Sequence, residues 1–148
     1  MTDAETTGGL PVHFWLFAFI AVLWNGYGAY DFVMTFAKGD AYMRGMGARD
    51  AYIAYFHAMP GWAIAAWAVG VWGAVAGTIL LLLRSGLALY PFAASLAGVV
   101  VTFAYAYLLS NGGALMGKGG AWINSGVFIG CLVFIWYARA ATRQGVLR

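Results

Sequence analysis

A single carboxylate interrupts a long apolar stretch near the N-terminus. Asp31 is the only charged residue within residues 13–37, and Trp24, Tyr27 and Gly28 lie seven, four and three residues before it. These spacings place the four residues on one face of a helix. An acid inside a membrane costs about 2.5 to 3.5 kcal/mol at a helix centre and commonly marks a site or a pathway. The stripe therefore predicts a proton-titrating or cation-binding acid, or a hydrogen-bond acceptor for a polar ligand.

The alternative is a purely structural role for Asp31. Its hydrogen bonds would then come from Tyr105 or Asn124 across a helix bundle, or from Lys38 two turns along the same helix. The carboxylate lies about six residues, or about 9 Å, from the end of its apolar stretch, so burying it costs less than at the membrane centre. The sequence leaves both interpretations of Asp31 open.

Polar residues of the other apolar stretches fall at the depth of Asp31. With four alternating helices, the late parts of the first and third share a membrane leaflet with the early parts of the second and fourth. Asn25, in mid-helix, is also typical of a hydrogen bond between helices, worth about 0.6 kcal/mol. The candidate ligand-binding residues are Asp31, Tyr27, Trp24, Asn25, Trp67, Tyr105 and Asn124.

The chain lacks the residue combinations that most catalytic and cofactor sites need. His13 and His57 fall at opposite membrane faces, about 30 Å apart, so they cannot ligate one metal ion or haem. Cys131 is the only cysteine, and no apolar stretch contains a lysine for a Schiff base. None of the serines has a histidine in the same stretch to act as a base. We therefore expect no enzymatic activity, no metal and no cofactor.

The composition indicates that these residues are positioned by helices in a lipid bilayer. Hydrophobic residues make up 64% of the chain and charged residues 9%, against roughly 45–50% and about 25% in soluble domains. The mean hydropathy is +0.79. The net charge of +3 is spread over the connections and the C-terminal tail, which does not favour a nucleic-acid partner.

Four stretches are long enough to cross a membrane, because about 20 apolar residues span about 30 Å as a helix. Backbone groups in hydrocarbon must bond within the segment, and the absence of inside-outside alternation excludes barrel strands. The sequence predicts an all-α membrane protein, a four-transmembrane-helix antiparallel bundle in a single domain, 1–148. The predicted spans are about 13–37, 61–83, 87–109 and 121–138.

The connections differ in character. Residues 84–86 leave room only for a tight turn, so the second and third spans are antiparallel neighbours. Residues 110–120, SNGGALMGKGG, predict a flexible loop. The segment at about 40–56 has apolar residues at near-helical spacing beside two arginines, which predicts either an interfacial helix or a solvated loop.

Small residues recur at every fourth position in the last three spans. Examples are Gly70 in the second span, Gly98 in the third, and Gly126 with Gly130 in the fourth. Such ladders let helices approach closely. They predict a tightly packed bundle rather than a specific dimer motif.

Four basic residues fall on each side of the membrane, so their number does not orient the chain. Arg84, Arg139 and Arg143 lie at helix ends with no acidic residue near them in the sequence, which favours cytoplasmic termini. The first ten residues are acidic and polar, unlike the basic start of a secretory signal, so the first span is expected to be retained.

Three short segments resemble a family of small four-helix bacterial inner-membrane proteins. They are Trp24 to Thr35 (WNGYGAYDFVMT), Ala41-Tyr42-Met43 and Leu108 to Gly112 (LLSNG). Some members of that family carry the name sugar transporter without a mechanism, and none has assigned functional residues. The resemblance therefore implies a multi-pass protein of the bacterial inner membrane. The chain does not resemble the small three-helix sugar carriers, because it lacks their Pro-Gln pair.

These features suggest two main roles. The first is transport of a small polar solute or a proton at the Asp31 face, which requires a homo-oligomer because four helices rarely enclose a gated path and no internal repeat is evident. The second is a non-catalytic accessory subunit of a larger membrane complex. A sensor for a lipid or apolar ligand in a cleft among the tryptophans is a third alternative.

Overall fold

The computed structural model of the protein describes residues 9–148, and this part of the chain is all-α with no strand. The acidic residues Asp3 and Glu5 lie outside it. Four helical stretches are long and apolar enough to cross a membrane, which confirms the predicted fold class. The five α-helices are α1 Val12–Gly45, α2 Asp50–His57, α3 Gly61–Leu82, α4 Leu89–Ala104 and α5 Gly112–Arg143.

Two prolines precede helix starts. Pro11 and Pro60 are the residues before α1 and α3, and both have extended backbone. Proline has no backbone N–H and disfavours helical geometry in the residue before it, so the chain enters each helix at a defined point. α3 and α4 are joined by residues 83–88, where Arg84 has a left-handed φ of 60°. This tight turn makes the two helices antiparallel neighbours.

α3 and α4 share the largest interface between helices in the described chain, and small residues make it possible. A Cβ atom on Gly98 would lie 2.5 Å from the carbonyl oxygen of Ala66, and one on Gly73 would lie 2.9 Å from that of Pro91. The buried Ser95 hydroxyl donates a hydrogen bond to the carbonyl oxygen of Gly70. The backbones are therefore close enough to exclude any larger residue at position 98.

The other two long helices complete a ring. On α1, the Asn25 side chain donates a 2.8 Å hydrogen bond to the Thr78 hydroxyl of α3. On α5, Phe134 stacks on Phe92 of α4 with ring centroids 5.4 Å apart. α5 also meets α1, because Tyr137 stacks on Phe17 at 3.7 Å. The order around the bundle is thus α1, α3, α4, α5 and back to α1.

The two ends of the bundle differ. We call the end with Pro11, residues 83–88 and residues 144–148 the terminal side, and the end with residues 46–60 and 105–111 the loop side. The hydrophobic core lies toward the terminal side, where Leu147 is buried and Arg148 exchanges backbone hydrogen bonds with Arg84 and Gly86. The core residues are Phe14, Ala21, Leu81, Ala88, Phe92, Phe134, Tyr137, Ala138, Ala141 and Leu147.

At the loop side, α1 and α5 extend beyond their predicted spans. α1 continues from residue 37 to Gly45 with a break at Gly39, whose φ of 54° and ψ of −134° are not helical. The predicted interfacial segment 40–56 contains the end of α1, a four-residue connection and most of α2. Glycine tolerates a positive φ that other residues avoid. The break therefore lets the end of α1 turn away from the helix axis.

The prediction of a flexible loop at residues 110–120 is wrong. α5 begins at Gly112, nine residues before the predicted span, and is broken once at Gly117, where φ is 65°. Glycine costs about 1 kcal/mol relative to alanine in a helix, but aromatic rings pack directly on this run. Tyr55 covers Gly112, and Tyr107 covers Gly113. Packing against these rings offsets the poor helix propensity.

Candidate functional site

The Asp31 carboxylate is held by a residue from its own helix. The Tyr42 hydroxyl donates a hydrogen bond to Asp31 Oδ1 at 2.9 Å. In a continuous helix, residues eleven positions apart are about 16 Å apart along the axis. The bond therefore depends on the break at Gly39, which turns the last residues of α1 back toward Asp31.

The cross-bundle partners expected for Asp31 are not observed. Neither Tyr105 nor Asn124 nor Lys38 bonds to it. The break at Gly39 brings Tyr42 to the carboxylate instead, and Asn124 bonds to Tyr107. Across residues 9–148, only Oδ1 of this carboxylate accepts a hydrogen bond. In the described part of the chain, no side-chain oxygen is fully buried without a hydrogen bond, so the unbonded second oxygen of Asp31 is accessible to a ligand.

Three more tyrosines lie near the Tyr42–Asp31 hydrogen bond. Tyr30 contacts the Tyr42 ring edge-on, with centroids 6.4 Å apart, and Tyr27 is exposed one turn before Asp31. Tyr52, on α2, faces the same region: burial raises its pKa, and the neighbouring Tyr55 and Asp31 raise it further. The Tyr52 phenol thus remains protonated at neutral pH. We call Asp31 with Tyr27, Tyr30, Tyr42 and Tyr52 the tyrosine–carboxylate cluster.

This cluster combines two kinds of recognition chemistry. A carboxylate attracts a cation, and aromatic faces add cation–π attraction of about 0.5 to 2 kcal/mol. Phenol hydroxyls donate and accept hydrogen bonds, so they suit a polar solute as well. This chemistry suits a small cation or a hydroxyl-bearing solute.

α2 covers the loop side of the bundle through its aromatic residues. Tyr55 is buried and stacks on Tyr105 at 6.0 Å, and its hydroxyl lies 3.5 Å from that of Ser110. Burial raises the pKa of Tyr55, although the Ser110 hydrogen bond opposes the shift. Phe56 contacts Phe36 at 5.9 Å between ring centroids. α2 therefore links α1 to residues 105–110, which directly follow α4.

Two polar pairs also attach α2 to the end of α1. His57 Nε2 lies 2.7 Å from Asp40 Oδ1, and Arg44 forms a 3.0 Å salt bridge with Asp50. All four side chains are exposed to a large extent. Exposed pairs contribute about 0 to 1 kcal/mol each. The aromatic contacts therefore hold α2 in place more strongly than its charges do.

Trp67 and Tyr105 join this aromatic layer and do not contact Asp31 through a hydrogen bond. Trp67 packs on Phe32, with ring centroids 4.7 Å apart, and Phe32 adjoins Asp31 in sequence. Tyr105 begins a π-helical turn, Tyr105–Leu109, and its carbonyl accepts a 2.7 Å hydrogen bond from the Ser110 hydroxyl. Both residues thus lie in the aromatic layer toward the loop side, where Trp67 packs on Phe32 and Tyr105 on Tyr55.

The remaining predicted site residues serve contacts between helices. Asn25 is buried against Thr78, as its mid-helix position suggested. The Trp24 indole lies over α5, where a Cβ atom on Gly130 would be 3.4 Å from Nε1. Asn124 donates to the Tyr107 hydroxyl at 2.9 Å. Each of these three residues has a different partner, and none of those partners belongs to the tyrosine–carboxylate cluster.

Sequence reasoning missed Tyr30, Tyr42 and Tyr52 of the cluster, and it also missed Tyr55 on α2. Tyr42 and Tyr52 lie in the segment at about 40–56, for which the sequence predicts either an interfacial helix or a solvated loop. The available signal was Gly39, because a glycine just before a tyrosine-containing segment permits a reversal toward the acid. Local sequence does not specify which sign of φ a glycine adopts.

No three side chains of histidine, cysteine, aspartate or glutamate within the described residues come together as a metal site. Comparisons with protein-family models, curated proteins and solved structures found no match to this chain.

Proposed function

We propose that this multi-pass membrane protein binds a small cationic or polar solute at the tyrosine–carboxylate cluster, as the binding step of solute or proton transport by an oligomer. The observation that carries the proposal is the Tyr42–Asp31 hydrogen bond across the Gly39 break. It keeps a carboxylate at the loop side with one oxygen satisfied and one available. Catalysis is not part of the proposal.

The need for an oligomer follows from the packing of one chain. Toward the terminal side, Phe14 and Leu81 are fully buried and Phe92 is 2% exposed. A solute entering from the loop side would have to displace these side chains to cross within a single bundle. A path between copies would leave this core intact, which favours transport by an assembly.

Ligand binding is expected to compete with Tyr42. A cation that takes both carboxylate oxygens would release the Tyr42 hydroxyl, and the end of α1 would then pivot about Gly39 together with α2. Tyr42 would thus close the cluster when it is empty, and the cluster would open toward the loop side when it is filled. Lids and hinges of this kind are commonly a few residues that absorb a large backbone change.

The deciding experiment uses Asp31→Asn in liposomes containing purified protein. Asparagine retains an oxygen that accepts from Tyr42, so the fold is kept while the charge is lost. We expect the variant to lose most flux of protons, read by an internal pH dye, and of methylammonium. Asp50→Asn is the matched control, because Asp50 is an exposed carboxylate on the same side. Equal flux in wild type and Asp31→Asn would contradict the proposal.

A second candidate function is a non-catalytic accessory subunit of a larger membrane complex. It is favoured by the filled interior and by large aromatic residues on the outer face, such as Trp122 and Trp136, which are 78% and 67% exposed. Purification from native membranes in mild detergent separates the two. A stoichiometric larger partner supports the accessory role, and a uniform homo-oligomer supports transport.

The proposed location is the bacterial inner membrane with both termini in the cytoplasm. The terminal side carries arginines without a carboxylate partner among residues 9–148, whereas the loop side mixes basic residues with Asp31, Asp40 and Asp50. Positive residues near helix ends favour the cytoplasmic side. Reporters fused after Arg148 that act only inside or only outside test this orientation, and an external signal would reverse it.

A further inference from the structure

A shallow groove runs between α1 and α5 at the terminal side of the bundle. It has a volume of about 440 Å³. Its walls are Leu16 and Ile20 on α1, and Trp136 and Ala140 on α5. Its floor is the stacked pair of Phe17 and Tyr137. The groove opens outward to lipid, since Leu16 is 61% exposed.

The groove is apolar along its length and polar at one end. His13 and Gln144 line the end nearest the terminal side, and His13 Nδ1 lies 3.1 Å from the Tyr137 hydroxyl. From His13 to Ile20 the helix rises about 10 Å. The lining thus changes from hydrogen-bonding groups at headgroup depth to hydrocarbon deeper in the membrane, which is the polarity profile of a phospholipid.

The charge beside the polar end is positive. Arg143 follows Trp136 by seven residues and so lies on nearly the same face of α5. Arg139, Arg84 and Arg148 lie on the same side of the bundle, and within residues 9–148 none of these arginines pairs with a carboxylate. Basic pockets between transmembrane helices favour anionic lipid headgroups.

We propose that this groove is a binding site for one anionic phospholipid. The acyl chain lies along Leu16, Ile20 and Trp136, and the phosphate lies at the polar end beside His13 and Arg143. The site is independent of the tyrosine–carboxylate cluster, which lies at the other end of the bundle. It would anchor α1 to α5 where those helices contact each other mainly through aromatic rings.

The test is native mass spectrometry of the purified protein released from mixed micelles containing equal phosphatidylglycerol and phosphatidylcholine. We expect one phosphatidylglycerol to remain bound in preference to phosphatidylcholine. Arg143→Gln should weaken this association roughly fivefold, because one arginine near an anionic surface contributes about that factor. Arg49→Gln, an exposed arginine at the loop side, is the matched control and should change nothing.

A second variant tests the groove itself. Ala140→Phe places a ring in the groove and should remove the retained lipid while Arg143 is still present. Equal retention of the two lipids, equal effects of Arg143→Gln and Arg49→Gln, or unchanged binding in Ala140→Phe would each overturn the proposal. A dimer that is lost in Ala140→Phe, without any retained lipid, would assign the groove to a second copy of the chain instead.

Discussion

Asn25 on α1 and Thr78 on α3 form a buried hydrogen bond 2.8 Å long, and the Thr78 hydroxyl in turn donates a hydrogen bond to the carbonyl oxygen of Ala74. The bond joins α1 to the α3–α4 pair. It accounts for an amide in the middle of an apolar helix without any ligand. Asn25 thus has a structural explanation. Asp31 differs in that one of its carboxylate oxygens accepts no hydrogen bond from residues 9–148.

This bond gives the first prediction. Asn25→Ala should lower the free energy of unfolding by about 0.6 to 1.7 kcal/mol, the range for hydrogen bonds between membrane helices. A double-mutant cycle with Thr78→Val in mixed micelles measures the coupling, which should account for most of that loss. Thr102 provides the control, because its hydroxyl bonds only within its own helix, to Gly98. Strictly additive losses for positions 25 and 78 would show that the bond contributes nothing.

The second prediction concerns the hydrogen bond to Asp31. Tyr42→Phe removes the donor and should destabilise the fold by about 1 to 2 kcal/mol, the lower part of the range for bonds to charged groups, because both side chains are half-buried. Denaturation in detergent measures the loss. The nearby Tyr30 makes a ring contact but no hydrogen bond to this carboxylate, so Tyr30→Phe should cost less than 0.5 kcal/mol by the usual scale of surface changes. Equal losses would contradict the role given to Tyr42.

The third prediction tests close packing of α3 and α4. Gly98→Ala should destabilise the bundle by about 1 to 3 kcal/mol, because the added methyl group collides with the backbone of α3. Gly28→Ala is matched in size and also lies within a helix, but nothing lies within 4 Å of its new Cβ atom. Thermal unfolding in detergent should therefore leave Gly28→Ala at least as stable as wild type. A tolerant position 98 would mean that the helices can separate at little cost.

The fourth prediction concerns pH. Burial raises the pKa of Tyr52 above its ordinary value of 10.0, so the protonated phenol is favoured in the folded protein. Its contribution to stability is fully present below pH 10 and is lost as the pH rises through the raised pKa. Tyr52→Phe should thus lose less stability than wild type above pH 10. Unfolding measured from pH 8 to 12 tests this, and parallel curves for the two proteins would show that Tyr52 titrates as an exposed tyrosine.

The four spanning helices can be predicted from the sequence, because the backbone N–H and C=O groups of a long apolar segment in lipid can hydrogen-bond only with each other. Pro11 and Pro60 likewise fix the starts of α1 and α3. The breaks at Gly39 and Gly117 are not readable, since glycine accepts either sign of φ and only the surrounding contacts choose one. The hydrogen bond between Tyr42 and Asp31 depends on the break at Gly39. The sequence therefore predicted the acid of the candidate site but not its hydrogen-bond partner.

The short connection between α3 and α4, residues 83–88, affects how the chain assembles during synthesis. Closing so short a loop costs little entropy, and the glycine contacts of this pair need no other helix. α3 and α4 can therefore pair as a helical hairpin during membrane insertion, before the other helices pack against them. α1 would then pack against this hairpin through the Asn25–Thr78 hydrogen bond. α5 is synthesised last and would pack against the other helices by stacking Phe134 on Phe92.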